Sequence, residues 1–191
     1  GMSDVSLLSA ELDSWSFGRF IDEIGRRHAE LPAMVSSDHS RTAGTLGRWT
    51  YAQMMRDVQA LQWGLADAGV QRGERVGVML SSFAEWVLYL FAVTRLGAAF
   101  MPINMRLRVR ELQHVMGHSG AQTLIAMGQY LGQDHAATIA EVCGARGADG
   151  HFAHLPKLER IIGVGSAPHP DAHATAALLE RGQRLLAERG D

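Results

Sequence analysis

A short polar segment, Asn104-Met105-Arg106, is the part of this sequence that best suits binding chemistry. It follows an apolar stretch that ends at Pro102, and a helical pattern begins shortly after it. A guanidinium fixed in such a loop suits a phosphate group. Arginines serve structural ion pairs just as often, and Glu111 on the next helix is an available partner for Arg106. The sequence leaves these two roles open.

Histidine side chains raise the question of a metal site, because the chain contains nine of them. Glu111, His114 and His118 are spaced to lie on one face of a helix and could present three ligands. A further ligand at a recognisable spacing is missing from the sequence, and His151 and His154 fall in an expected loop. The sequence therefore predicts no metal site.

Recognisable catalytic groups are also missing from the sequence. It contains no Gly-x-Ser-x-Gly elbow, although counting residues does not exclude a Ser-His-Asp arrangement. The segment from Ser40 to Thr45 imitates a phosphate cradle but has no lysine and no helix start behind it. Gly163-Val164-Gly165-Ser166 lacks a third glycine and is expected to be a turn. The single lysine, Lys157, lies in neither of these two segments. We predict no catalytic residue among these 191 residues.

Composition limits the classes of partner. With 18 basic and 20 acidic residues the net charge is −2, which gives no electrostatic reason to expect nucleic acid or an anionic membrane. The longest apolar run, Trp86 to Val93, is far shorter than the ~20 residues of a membrane span. The polar start shows no signal peptide, and Gly1 is interpreted as a scar of tag cleavage. Cys143 is the single cysteine, which favours a reducing, cytoplasmic setting.

Hydrophobic periodicity predicts elements that alternate between strands and helices. An N-terminal β-hairpin is expected from residues 33–36 and 48–51. Capping boxes at Thr50 and Ser82 should open two helices. Apolar runs predict four buried strands, and amphipathic patterns predict the helices between and around them. The strands are expected at 76–80, 98–103, 123–127 and 160–164, and the helices at 16–30, 51–65, 82–96, 109–118, 130–143 and from Asp171 onward.

This alternation predicts a layered α/β fold with a mostly parallel sheet and helices on both faces. We divide the chain into a tail over residues 1–15, an α/β subdomain over 16–170 and a C-terminal helix over 171–191.

Collinear short motifs carry a resemblance to a known family. They are Trp49-Thr50-Tyr51, Gly69-Val70-Gln71-Arg72-Gly73-Glu74, Glu85-Trp86, Arg95-Leu96-Gly97-Ala98 with Pro102, Asn104 and Arg106-Leu107, His118-Ser119-Gly120-Ala121, and Leu155-Pro156-Lys157-Leu158. In this order they resemble the N-terminal part of the acyl-CoA synthetases, which are adenylate-forming enzymes. Met105 and Arg108 depart from the family pattern, so the loop around Arg106 is expected to differ.

The resemblance implies a parent enzyme that uses ATP, Mg²⁺ and CoA to convert a small-molecule carboxylate, whose identity the sequence does not give, into an acyl-CoA. In the family, the arginine corresponding to Arg106 lies beside the CoA channel. The family's phosphate loop, which ends in Pro-Lys-Gly, and its adenylation lysine are missing from this sequence. We therefore expect an inactive fragment that binds no cofactor itself and contributes scaffold and part of the CoA channel.

Two alternatives remain open at this point. The chain could be a natural interaction module without chemistry, or an unrelated nucleotide-binding α/β domain. A reading frame that continues into a Thr-Ser-Gly-rich loop would argue against the natural module. The resemblance also implies that parts of the parent cover this subdomain. We therefore expect a homodimer formed through exposed apolar surface, including the last helix at Leu178, Leu179, Leu185 and Leu186.

Overall fold

The computed structural model describes residues 32–35 and 48–189. An antiparallel hairpin of β1 (Pro32–Val35) and β2 (Arg48–Thr50) leads directly into helix α1 (Tyr51–Asp67). The predicted N-terminal hairpin is therefore confirmed. The helix expected at 16–30 and the segment from Ser40 to Thr45 lie outside the described residues.

Strands and helices then alternate along the chain, as the periodicity predicts. In chain order they are β3 (Arg75–Met79), α2 (Phe83–Arg95), β4 (Ala99–Pro102), α3 (Val109–Ser119), β5 (Thr123–Ala126), β6 (Gln129–Tyr130), β7 (Gln133–Asp134), α4 (His135–Cys143), β8 (Arg160–Gly163), β9 (His173–Ala174) and α5 (Thr175–Arg189). Strands β6 and β7 form a small antiparallel hairpin, and the other five make one sheet.

The five-stranded sheet has the order β4-β3-β5-β8-β9, and every pair of neighbours is parallel. Strands β3, β5 and β8 have buried residues on both faces, as their continuous apolar runs predict. One hydrophobic cluster holds buried residues of α1, α2 and α5, and a second holds those of α3 and α4. The predicted parallel sheet with helices on both faces is confirmed.

Helices α1 and α5 pack very closely because each has a glycine at the contact. A Cβ atom added at Gly64 would lie 2.1 Å from the carbonyl oxygen of Leu178, and one added at Gly182 would lie 1.6 Å from that of Ala60. Leu178 and Leu179 are buried in this contact. The expectation that the apolar side of the last helix is exposed is therefore wrong for Leu178 and Leu179, which α1 covers, whereas Leu185 and Leu186 are half-buried.

Two helices begin later than the sequence analysis predicts. Helix α4 starts at His135 rather than near Tyr130, because Leu131 and Gly132 turn the chain at φ values of 47° and 74° and form the β6–β7 hairpin. Helix α5 starts at Thr175 rather than Asp171, because β9 pairs with β8 first.

The predicted capping box at Ser82 is also wrong in its detail. Helix α2 does begin after Ser82, but the serine side chain accepts no hydrogen bond from the helix backbone. Its hydroxyl donates to the buried carboxylate of Glu85 instead. Within the described residues, no helix is long and apolar enough to cross a membrane.

Candidate functional site at the carboxyl edge of the sheet

The topology of the sheet marks one place for a ligand. The connection from β3 to β4 runs toward one edge, and the connection from β4 to β5 crosses back over β3. Right-handed connections in opposite directions put their helices on opposite faces, as observed for α2 and α3. The strand order therefore reverses between β3 and β5. In open α/β sheets, ligands bind outside the carboxyl ends of the strands at such a point.

The residues that follow β3 and β5 meet at this point. The hydroxyl of Ser81 lies 3.2 Å from the sulfur of Met127, and Ser81 is exposed while Met127 is buried. Next to them, the turn after β8 is tied to the loop after β5. The backbone N–H of Gln129 donates to the Ser166 hydroxyl over 2.9 Å, and that of Gly128 donates to the Ser166 carbonyl over 3.0 Å. The chain thus bends over residues 164–166 directly after β8, whereas Gly163, the first residue of the predicted turn, still belongs to the strand.

The loop that carries Arg106 follows β4 at the same edge. The Asn104 side chain accepts a hydrogen bond from the backbone N–H of Arg106 over 2.9 Å, and its carbonyl accepts from Leu107 over 3.2 Å. Such a local side-chain bond is typical of asparagine in turns and fixes the direction of the loop. Asn104 and Arg106 are both exposed.

The ion pair considered between Arg106 and Glu111 is not formed. One carboxylate oxygen of Glu111 accepts the backbone N–H of Arg108 over 2.9 Å, which satisfies an otherwise free donor at the start of α3. Among the residues that the structure describes, the Arg106 guanidinium has no hydrogen-bonding or charged partner. It therefore stands in solvent at the carboxyl edge of the sheet, in a loop whose backbone is held by Asn104.

Beneath this edge, a buried hydrogen-bond chain joins α2, α5 and β8. The hydroxyls of Tyr89 and Thr175 are 2.6 Å apart, and the Thr175 hydroxyl donates to the Gly163 carbonyl over 2.7 Å. Burial raises the pKa of Tyr89 well above its ordinary value, and the nearby charge of Glu85 raises it further despite the bond to Thr175. Tyr89 therefore stays protonated and positions α5 rather than transferring protons.

The opposite, amino edge of the sheet is closed by a buried ion pair that the sequence analysis did not identify. Arg160 at the start of β8 donates to Glu74 over 2.7 Å and to the Thr123 hydroxyl over 2.7 Å. Its other terminal nitrogen donates to the Gly69 carbonyl over 3.0 Å and to Glu159 over 2.9 Å. With both terminal nitrogens hydrogen-bonded within the protein and little solvent access, this guanidinium supports the fold rather than a ligand.

The other groups singled out in the sequence lie apart from the carboxyl edge. His114 and His118 stack on α3, and within the described residues no group of three His, Cys, Asp or Glu side chains is arranged to hold a metal. His154 contacts the Glu141 carbonyl at 3.2 Å, and His151 is exposed. Burial raises the pKa of Cys143 to about 11, which keeps this thiol protonated near neutral pH.

Comparison with known proteins gives the family. The sequence model described as "AMP-binding enzyme" matches residues 21–180, which is most of the chain. The chain belongs to the AMP-binding enzyme family. The family resemblance inferred from the short motifs is thereby confirmed, and an unrelated nucleotide-binding domain is excluded.

Relatives within the AMP-binding family include several acyl-CoA ligases. A feruloyl-CoA synthase of Amycolatopsis sp. is 36% identical over 121 residues, covering 63% of this chain and 23% of that protein. The acyl-CoA ligase SID4 of Ajellomyces capsulatus is 38% identical over 98 residues, covering 51% of this chain and 16% of that protein.

Solved structures share the fold. A long-chain-fatty-acid-CoA ligase (FadD1) from Archaeoglobus fulgidus superimposes with a TM-score of 0.67 at 20% identity, covering 87% of this chain and 30% of that one. The 191 residues thus span less than a third of the length of each of these proteins.

Proposed function

We propose that these 191 residues form part of an ATP-dependent acyl-CoA synthetase. In this reaction a carboxylate attacks the α-phosphate of ATP and pyrophosphate leaves, with Mg²⁺ accompanying the nucleotide. The thiol of CoA then displaces AMP from the acyl-adenylate. The observation that carries the proposal is the family match over residues 21–180, together with acyl-CoA ligases among the relatives.

Within that reaction the chain supplies scaffold and one wall of the channel through which CoA enters. Arg106 is the binding residue we assign to CoA. Its guanidinium is exposed at the carboxyl edge and has no partner among the described residues, while Asn104 holds its backbone. A guanidinium presents several donors in a fixed plane, which suits a phosphate oxygen pair.

The test of this assignment uses a polypeptide of the relatives' length that contains these residues. Arg106→Ala should raise the KM for CoA by about 3- to 30-fold, because an exposed charged hydrogen bond is lost. Carboxylate-dependent exchange between ATP and pyrophosphate should stay near normal, since adenylate formation precedes CoA. Arg184→Ala is the control, because Arg184 is an exposed arginine on α5, which packs on the opposite face of the sheet from α3. Equal loss in both half-reactions would assign Arg106 a structural role.

The 191 residues alone should neither bind ATP appreciably nor exchange pyrophosphate, because their sequence has no Pro-Lys-Gly phosphate loop and no adenylation lysine. Exchange catalysed by the purified chain would contradict this. The cytoplasmic location and the homodimer stay predictions of the sequence.

A further inference from the structure

Two histidines on α3 are placed for a role that the proposed function does not use. His114 and His118 are four residues apart, both are exposed, and their rings stack with centroids 5.7 Å apart and planes 14° from parallel. Neither ring has a hydrogen-bonding partner among the described residues. Residues four apart on a helix are neighbours on one face, and this spacing of histidines holds zinc in helical metalloprotease motifs.

We propose that His114 and His118 together chelate one divalent cation of the Zn²⁺, Ni²⁺ and Cu²⁺ class on the exposed face of α3. This is a site of two protein ligands, with water in the remaining positions, rather than the three-ligand site considered from the sequence. The third residue of that set, Glu111, is occupied at one oxygen by the backbone of Arg108. The site is independent of ATP and CoA.

The separation of the rings is close to what a shared ion requires. A metal–nitrogen bond is about 2.0–2.1 Å, so two imidazoles on one ion have ring centroids roughly 4.5–5.5 Å apart. The observed 5.7 Å is slightly longer, and because the two rings lie nearly parallel, both exposed side chains must rotate before a nitrogen of each faces one ion. His118 also lies in the last turn of α3, where the free carbonyl groups of the helix favour positive charge.

The donor chemistry selects the metal. Two imidazoles suit Zn²⁺, Cu²⁺ and Ni²⁺, and Cu²⁺ is expected to bind most tightly in the usual order of divalent affinities. Mg²⁺, Ca²⁺ and Mn²⁺ prefer oxygen ligands and should not compete. Arg110, one turn before His114, places a positive charge near the site, which limits its affinity.

The test measures Cu²⁺ and Ni²⁺ binding to the 191-residue chain by calorimetry, with electron paramagnetic resonance of the Cu²⁺ form. His114→Gln and His118→Gln should each weaken the site tenfold or more, because the second ligand acts at high effective concentration once the first is bound. The double variant should lose little more than either single variant, and the resonance spectrum should report two nitrogen ligands in the wild type only. The variant His151→Gln/His173→Gln is matched in histidine count and should keep the site.

Thermal unfolding gives a second readout. Ni²⁺ should raise the Tm of the wild type and of the control variant, because the ion binds the folded helix, but not the Tm of either single variant. If the losses of metal affinity from the two substitutions were additive, the two histidines would bind metal independently, and the proposal would be overturned. Loss of the site in the control variant, or wild-type binding unchanged by substitution at 114 and 118, would also overturn it.

Discussion

The close contact between α1 and α5 predicts that Gly182→Ala destabilises the protein, against the usual effect of this substitution. Alanine in place of glycine in a helix interior normally stabilises by about 1 kcal/mol. Here the new Cβ would lie 1.6 Å from the carbonyl oxygen of Ala60, whereas an ordinary carbon–oxygen contact is about 3.3 Å. The obstruction is backbone rather than a flexible side chain, so the two helices must separate by roughly 1.7 Å.

Such a separation loosens the packing around Leu178 and Leu179, which are buried beside the contact. Overpacking costs typically 1–3 kcal/mol and more where backbone must move, so the net loss should be about 2 kcal/mol. The matched control is Gly117→Ala on α3, where the nearest atom to an added Cβ is a Leu155 methyl carbon at 3.9 Å. The control should gain up to about 1 kcal/mol.

Urea unfolding of the wild type and both variants measures how much each substitution changes the free energy of unfolding. Unchanged m values would show that the unfolded states are comparable. A Gly182→Ala protein as stable as the wild type, or more stable, would refute the inference that the helices touch through backbone. Gly64→Ala, whose Cβ would lie 2.1 Å from the Leu178 carbonyl oxygen, should behave like Gly182→Ala.

Three further predictions use other contacts. Arg160→Met should lower the free energy of unfolding, measured in urea, by about 3–5 kcal/mol, because Glu74 is left buried and unpaired. The control Arg181→Met breaks an exposed ion pair and should lower it by under about 1 kcal/mol. Equal losses in the two variants would contradict the stabilising role of the buried pair. The pKa of Cys143 is raised from 9.0 to about 11, so its contribution to stability should be complete below about pH 9 and should be lost as pH rises toward 11; a Cys143→Ala variant with the same alkaline decline would contradict this. Light scattering over a dilution series should show the predicted homodimer, weakened by Leu131→Asp because Leu131 is the large hydrophobic side chain left exposed in the described part of the chain; a monomer at every concentration would contradict it.

Periodicity predicted the sheet because the strands β3, β5 and β8 are covered on both faces and their sequences are apolar at nearly every position. It misplaced the starts of α4 and α5. The start of α5 depends on the pairing of β9 with β8, whereas the decisive signals at α4 are local. Gly132 permits the tight hairpin turn, and Asp134 caps α4 by accepting from the Ala137 N–H over 3.0 Å. Both residues are visible in the sequence, but the start of α4 was predicted from the spacing of apolar residues alone.

The candidate site at the carboxyl edge was only partly predictable from the sequence. Arg106 was proposed from its loop after a strand and from the family resemblance, and it stays a prediction. The contact of Ser81 with Met127 depends on the order of the strands in the sheet, which a sequence does not contain. The ion pair of Glu74 with Arg160 joins residues 86 positions apart, so no local pattern indicates it. The sequence analysis therefore missed the contacts that depend on the order of the strands in the sheet.

The arginines at the two edges of the parallel sheet differ in how far their donors are satisfied. At the amino edge, Arg160 uses its donors on four partners within the protein and is almost closed to solvent. At the carboxyl edge, Arg106 offers its donors to solvent, and only its backbone is held in place. Both are arginines beside a strand end, yet the first would lose its partners if it bound a ligand and the second would gain them. Since binding requires unsatisfied donors and stability requires satisfied ones, substitutions at the amino edge should change unfolding free energy, and those at the carboxyl edge should change ligand affinity.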